Sequence, residues 1–286
     1  MKAPSFDYVK PDSLDDVLAL LAQHGDDARI LAGGQTLLAT LNMRLSEPEL
    51  LIDINAVEAL KGIEAKDDHL WIGALVRHSQ IEDSPVVAQH APLLMQAAPH
   101  VGHRAIRNQG TFGGSIAFAD PAAEWPVCTV ALDAVFHLAG SQGVRKVPAA
   151  EFFLDLYTTE MASDEMLIGC EIPFSPPDTK YAFQELARRH GDYAIVGVAA
   201  TAQMRGGAFN NARLVFLGMG NTPIRALDVE QLVEGKAFSD DLVSQAKQAL
   251  VGVLQPSADL YSSANTKMHL AGVLMGRVLK QLAESA

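Results

Sequence analysis

Apolar and polar positions follow two rhythms along this chain, and the change between them divides it into units. Residues 1–10 read as a short strand, and Pro11 to Asp16 then open a helix. Ser13 is placed to cap that helix, Asp15 and Asp16 suit its positive end, and Val17, Leu18, Leu20 and Leu21 give it an apolar face until Gly25. Arg29-Ile30-Leu31 return to strand, Gly33 and Gly34 turn the chain, and Leu37, Leu38, Leu41 and Leu45 continue as a second helix. Pro48 breaks that pattern, and Leu50 to Ile54 are strand again. The β-α-β-α-β alternation predicts a small α/β unit.

From Leu60 the period changes. Lys61 to Ala65 and Leu70 to Ala74 read as strands, followed by a helical stretch that Pro85, Pro92 and Pro99 divide. A second Gly-rich stretch, Asn108 to Ile116, leads into an apolar helix that runs to Leu132. Ala134 to Leu138 and Val144 to Val147 flank a turn at Gly140-Ser141-Gln142-Gly143, and Met166 to Ile172 is a further strand. Pro173, Pro176 and Pro177 mark a linker. Beyond it lie strands Tyr181 to Ala187, Ala194 to Met204 and Ala212 to Met219, with Gly206 to Asn211 as a hairpin turn. Helices Asp240 to Leu254 and Ala264 to Leu282 close the chain. The last third therefore reads as an antiparallel sheet backed by helices.

Composition narrows the partners. At 286 residues the chain suits two or three compact units, and its 20% charged and 49% hydrophobic residues are ordinary for a soluble protein. No apolar run is long enough to span a bilayer, and Met1 to Asp7 lack the apolar core of a secretory signal, which makes the cytoplasm the expected location. A formal charge of −12 argues against nucleic acid. Cys128 and Cys170 stand alone in apolar stretches, so neither reads as part of an iron–sulfur or zinc site.

The candidate chemistry lies in the two Gly-rich stretches. Each reads as a turn opening a helix, where glycine admits a ligand to the main chain and unsatisfied N–H groups suit a phosphate; a tight turn with no ligand also needs glycine. Neither is a G-x-G-x-x-G or Walker A loop. Asp120 and Glu124, four apart, read either as an acid pair on one helix face or as helix capping, with Asp120 before Pro121 and an acid in the first helical turn. His100 and His103 lack a third metal ligand nearby in sequence, and Tyr193 sits at a turn between strands.

Taken together, Ala32 to Thr36 and Gly110 to Ser115 resemble the paired FAD loops of the medium, flavin-binding subunits of molybdenum hydroxylases, the family of carbon monoxide dehydrogenase and xanthine dehydrogenase. Ile72-Gly73-Ala74, Ile106-Arg107-Asn108, Ala119 to Glu124, Glu171-Ile172-Pro173, Arg188 to Tyr193 and Gly220 to Arg225 fall in that family's order. The resemblance implies an α+β, p-cresol-methylhydroxylase-type FAD fold: subdomains at 1–56 and 57–177, then a C-terminal domain at 178–286. It implies that Ala32, Gly33, Gly34, Gln35, Gly113 and Gly114 hold the pyrophosphate mainly by main-chain N–H groups, with Thr36, Thr111 and Ser115 adding hydroxyls. Leu37 and Ala117 fall beside those loops and are carried over with them. Asp120 and Glu124 would face ribose or ribityl hydroxyls, Tyr193 would lie near the isoalloxazine, and Leu31, Val101 and Ile168 would touch the flavin rings. The family often has Asn at Ser115 and Asp at Glu124. It often has lysine near Gln184 and Glu185, so neither of these is carried over.

The implied function is an electron-transfer subunit. A large partner would hold the molybdenum cofactor, a small partner two [2Fe–2S] clusters, and this chain's FAD would pass electrons to an external acceptor, within a dimer of heterotrimers, (LMS)2. The alternative is a self-sufficient flavin-dependent oxidase or dehydrogenase of the same fold, for which the stretch after the linker is short. A benzoyl-CoA-reductase-type subunit would need a Cys-rich insertion that this sequence lacks. A non-enzymatic adaptor is a fourth reading. Substrate and acceptor are not legible in this chain.

Overall fold

A computed structural model describes residues 2–284. The first unit comprises β1 (Asp7–Val9), α1 (Leu14–His24), β2 (Ala28–Leu31), α2 (Leu37–Asn42) and β3 (Leu50–Asp53). Its strands form a parallel sheet in the order β1-β3-β2. The Ser13 hydroxyl accepts the Asp16 N–H at 3.2 Å, and α1 buries Val17 and Leu21 against that sheet. α2 is shorter than its leucine spacing predicts. It ends at Asn42 because Arg44 adopts a φ of +56°, which leaves Leu45 outside the helix and largely exposed.

The second unit runs through β4 (Ile63–Ala65), β5 (His69–Gly73), α3 (His78–Glu82), α4 (Pro85–His90), α5 (Pro92–Ala97), α6 (Arg104–Arg107), α7 (Phe112–Phe118) and α8 (Glu124–Ala131). It continues with β6 (Val135–Gly140), β7 (Gly143–Pro148), α9 (Ala149–Phe152), the small hairpin β8 (Phe153–Asp155) and β9 (Thr158–Thr159), and β10 (Met166–Pro173). Its main sheet is antiparallel, in the order β4-β5-β10-β6-β7. Pro85 and Pro92 each start a helix, where the missing N–H costs nothing. Every residue of α8 is buried, as befits an apolar helix with no solvent face.

The third unit has an antiparallel sheet of β11 (Thr179–Ala187), β12 (Ala194–Arg205), β13 (Ala208–Leu217) and β14 (Ile224–Arg225), with α10 (Leu227–Val233), α11 (Asp240–Val253) and α12 (Ala264–Glu284). The hairpin turn is tighter than the sequence suggested. Gly206 and Gly207 alone separate β12 from β13, both at positive φ, and Ala208 to Asn211 belong to β13. β12 is an almost unbroken apolar run because both faces of this sheet are covered. Phe183, Ala199, Val215 and Leu217 join the core of α5, α8 and the second sheet, while Val196, Val198 and Phe216 pack with α10, α11 and α12. α8 therefore lies between two sheets, and its N-terminus carries Glu124. Among the described residues no helix is long and apolar enough to cross a membrane.

Candidate functional site

Leu31 ends β2 opposite Asp53, and the chain leaves the sheet through Ala32 to Thr36 before α2. Gly34 takes a φ of +70°, open to glycine at little cost. At Gly33 the reason for glycine is different. A Cβ there would lie 2.4 Å from the Gln109 carbonyl oxygen and 2.7 Å from Gly110 Cα, so the two Gly-rich loops touch backbone to backbone. A polar strap holds them: Asn55 Nδ2 donates to the Ala32 carbonyl at 2.8 Å, and its Oδ1 accepts from Arg77 Nη2 at 2.7 Å. Arg77 Nη1 in turn donates to the Gln109 carbonyl.

Between these loops opens a cavity of about 600 Å³, within the range of small-molecule and cofactor sites. Ala32, Gly33, Gly34, Gln35, Thr36 and Leu37 line one side, with Thr111, Gly113, Gly114, Ser115 and Ala117 facing them. Val101, Asp120, Glu124 and Tyr193 complete the set expected from sequence. Leu31 and Ile168 do not line the cavity. Leu31 packs beside the Gly34 Cα, and Ile168 belongs to the core beneath the first sheet, while its neighbour Leu167 reaches the cavity wall.

The two loops are not equivalent. The N–H groups of Gly33, Gly34, Gln35 and Thr36 have no protein partner among the described residues, and Thr36 precedes α2 without capping it. In the second loop the donors are spent. Phe112 N–H goes to Val76 O at 2.8 Å, Gly113 N–H to Ala74 O at 2.9 Å, Gly114 N–H to Thr111 Oγ1 at 3.1 Å and Ser115 N–H to Thr111 O at 3.1 Å. Thr111 is thus a helix cap, and the second loop offers the cavity its hydroxyls and the open face at Gly114, while main-chain donors to an anion come from the first loop. Beneath it His78 accepts Trp125 Nε1–H at 2.9 Å, and a Cβ on Gly110 would meet its ring at 2.6 Å. Burial, with Arg107 and Arg77 nearby, pulls the His78 imidazole down to about 3, so it is neutral.

The acids differ from the capping reading. Asp120 does not cap α8: Ala119 takes a left-handed φ of +53°, Asp120 Oδ1 accepts Ala122 N–H at 2.9 Å in a turn, and the helix starts at Glu124. Burial raises the Asp120 carboxyl above its ordinary range. It raises Glu124 too, with the Asp120 charge adding to the effect. Glu185, on β11, is a further buried acid. Its side chain is 2% exposed, its Oε2 has no hydrogen-bond partner, and burial followed by the Glu124 charge raises its proton affinity. His100 and His103 diverge: His100 packs on Phe183 with ring centroids 5.2 Å apart and stands 3.9 Å from Glu185, whereas the ring of His103 lies against Gly191.

Residues 4–175 match the family described as the FAD binding domain in molybdopterin dehydrogenase, and residues 181–282 match the CO dehydrogenase flavoprotein C-terminal domain. The chain belongs to this flavoprotein family. It is 40% identical to the alpha subunit of the 6-hydroxypseudooxynicotine dehydrogenase complex of Paenarthrobacter nicotinovorans, over 100% of this chain and 97% of that one. It is 35% identical to the carbon monoxide dehydrogenase medium chain of Hydrogenophaga pseudoflava, over 98% of this chain and 97% of that one. A solved structure of carbon monoxide dehydrogenase from the same organism superposes with a TM-score of 0.96 at 36% identity, covering 99% of this chain and 98% of that one. The fold is therefore that of the FAD-binding medium subunits, with the C-terminal antiparallel sheet of the carbon monoxide dehydrogenase flavoprotein.

The residues present fit FAD. Unbonded N–H groups at Gly33 to Thr36 suit a diphosphate in a chain whose net charge is −12. Sequence reasoning missed the Asn55–Arg77 strap and the seat of His78, because both depend on which loops meet. It also passed over Glu185, for which a signal exists: it alternates with Tyr181 and Phe183, so it shares their inward face.

Proposed function

We propose that this chain is the electron-relay subunit of a multi-subunit molybdenum hydroxylase. In this reading a large partner holds the molybdenum cofactor and oxidises substrate, a small partner carries two [2Fe–2S] clusters, and the assembly is (LMS)2 in the cytoplasm. The observation that carries it is the row of unbonded N–H groups at Gly33 to Thr36, facing a cavity that the second loop closes, in a chain that matches the flavoprotein family end to end. FAD, when bound, supplies the redox chemistry by accepting electrons and passing them on.

This chain's own residues bind, orient and shield. Gly33, Gly34, Gln35 and Thr36 would hold the pyrophosphate, with Thr111 and Ser115 contributing hydroxyls. Asp120 and Glu124 would face sugar or ribityl hydroxyls, a role that suits carboxyls whose ionised forms burial disfavours. Val101 would back the flavin, and Tyr193, 68% exposed at the mouth, would cover its outer side. The division into 1–56, 57–177 and 178–286 follows the same reading.

The test is reconstitution of the purified chain with FAD. Flavin absorbance bands should persist through gel filtration, and their absence would overturn the proposal. In Tyr193→Ala, FAD should be retained while its spectrum and reoxidation rate change; loss of FAD instead would make Tyr193 part of the anchor.

A further inference from the structure

Arg107 is a buried guanidinium that holding a diphosphate does not require. It ends α6, is 7% exposed and does not itself line the cavity. A buried charge needs a partner and a full set of hydrogen bonds, and Arg107 has both. Glu82, at the end of α3, accepts Nε–H at 2.8 Å and Nη2–H at 3.1 Å in a two-pronged pair. Nη1 turns onto a single stretch of main chain. It donates to the Gly102 carbonyl at 2.7 Å, with the Val101 and Pro99 carbonyls at 3.3 and 3.4 Å. Among the described residues no main-chain N–H reaches the Val101 or Gly102 carbonyl, so the guanidinium is what holds that stretch.

The stretch it holds is a wall of the site. Val101 and Gly102 line the cavity, and Gly102 takes a φ of +54° where the chain turns from the short helical turn Ala98–His100 into α6. The same stretch seats the loop before Tyr193: a Cβ on Gly191 would lie 2.8 Å from the His103 ring and 3.0 Å from the Gly102 carbonyl carbon. Glu82 is a firm brace, because the start of its helix is tied to the second Gly-rich loop by the His78 N–H, which bonds the Gly110 carbonyl at 3.1 Å. Arg104 Nη1 donates to the same Glu82 carboxylate at 2.7 Å. We propose that Arg107, braced by Glu82, is a positioning residue for the isoalloxazine end of the site: through the Val101 and Gly102 carbonyls it sets the wall behind the flavin rings and the seat of the Tyr193 loop. This rests on the FAD reading of the cavity. The diphosphate end has its own support, since the first Gly-rich loop is tied at Ala32 through Asn55 and Arg77. Lysine is a poor substitute, because a single ammonium cannot make the fork to Glu82 and reach the carbonyls on the opposite side.

The test titrates the flavin-free full chain with FAD and, separately, with ADP, which carries the diphosphate but no ribityl or isoalloxazine group. In Arg107→Met, ADP affinity should stay within about 2-fold of native while FAD binds about 10-fold more weakly, the loss of one charge-assisted hydrogen bond. The visible absorbance and fluorescence of the flavin that still binds should shift. Arg107→Lys and Glu82→Gln should move the same readouts in the same direction by less, and they make the comparison on their own if Arg107→Met does not fold. In the apo variants, hydrogen exchange should speed up at the amides of Val101 to Arg104 and stay native at Phe112 and Gly113, whose N–H groups bond Val76 and Ala74. Equal weakening of FAD and ADP would make Arg107 a general stabiliser and overturn the proposal, as would native FAD affinity or native exchange at Val101 to Arg104. A native chain that binds no FAD overturns the cofactor reading instead, while the exchange result still decides whether Arg107 holds the loop.

Discussion

Gly33→Ala tests the contact between the two loops with one methyl group. Gly33 does not have a positive φ, so alanine is conformationally acceptable and only the contact is probed. Its Cβ would lie 2.4 Å from Gln109 O and 2.7 Å from Gly110 Cα, against 3.4 Å for an ordinary contact, and both atoms are backbone. The loops must part by about 1 Å. Overpacking of this kind costs about 1–3 kcal/mol, and the Asn55–Arg77 strap stretches with it. The apo chain should therefore melt roughly 2–5 °C lower. FAD should suffer more, because in the proposed site its diphosphate would be held from one loop and closed over by the other. Misaligning two charge-assisted hydrogen bonds, each worth about 1.5–3 kcal/mol, weakens binding by about 100-fold or more. Fluorescence titration of FAD into the apo chain measures this. Gly252→Ala is the control, since it lies in α11 with no atom within 4 Å of the added Cβ. It should leave FAD affinity unchanged and add up to about 1 kcal/mol of stability. Native FAD affinity in Gly33→Ala would refute the reasoning.

His78 makes stability depend on acid. Its imidazole is held to about 3 against an ordinary value of 6.5, so between those values the unfolded chain binds more protons and stability falls as pH falls, by up to about 1.4 kcal/mol per pH unit. His78→Gln should flatten that slope in urea denaturation run across the window, and an unaltered slope would show that His78 is not the group responsible. In the third unit, buried Glu230 accepts Leu214 N–H at 2.9 Å and Arg225 Nε at 3.0 Å. Glu230→Ala leaves both donors unpaired and should cost about 2–4 kcal/mol, with Glu230→Gln milder; equal melting temperatures for native and Ala chains would contradict this.

Much of the fold is legible in the sequence because its determinants are local. Ser13 with Asp15 and Asp16 marks the start of α1, Pro85 and Pro92 start helices, and the apolar run of β12 announces a strand covered on both faces. The misreadings arise where a backbone angle decides. Arg44 at positive φ ends α2 before Leu45, Ala119 at positive φ turns the chain ahead of Asp120, and the pair Gly206-Gly207 suffices for the hairpin. None of these carries a hydrophobic signature. The short elements β8, β9, β14 and α10 escape notice for the same reason: two to seven residues contain too little periodicity to register.

The two glycine loops show why a site can be found by pattern and still be misjudged in mechanism. Both stretches have small residues ahead of a helix, so both read as anion cradles. What separates them is distant in sequence: Ala74 and Val76, leaving β5, take up the N–H groups of Gly113 and Phe112, and among the described residues nothing comparable reaches Gly33 to Thr36. One loop is consequently a rigid wall and the other a donor. The division also bears on charge. A dianion held only by backbone dipoles of one loop, with Asp120 and Glu124 on the facing wall, would be repelled if both acids were ionised. Burial opposes their ionisation, and the same is true of Glu185 behind them. Burial of these acids thus lowers the charge that an anionic cofactor would meet on that wall.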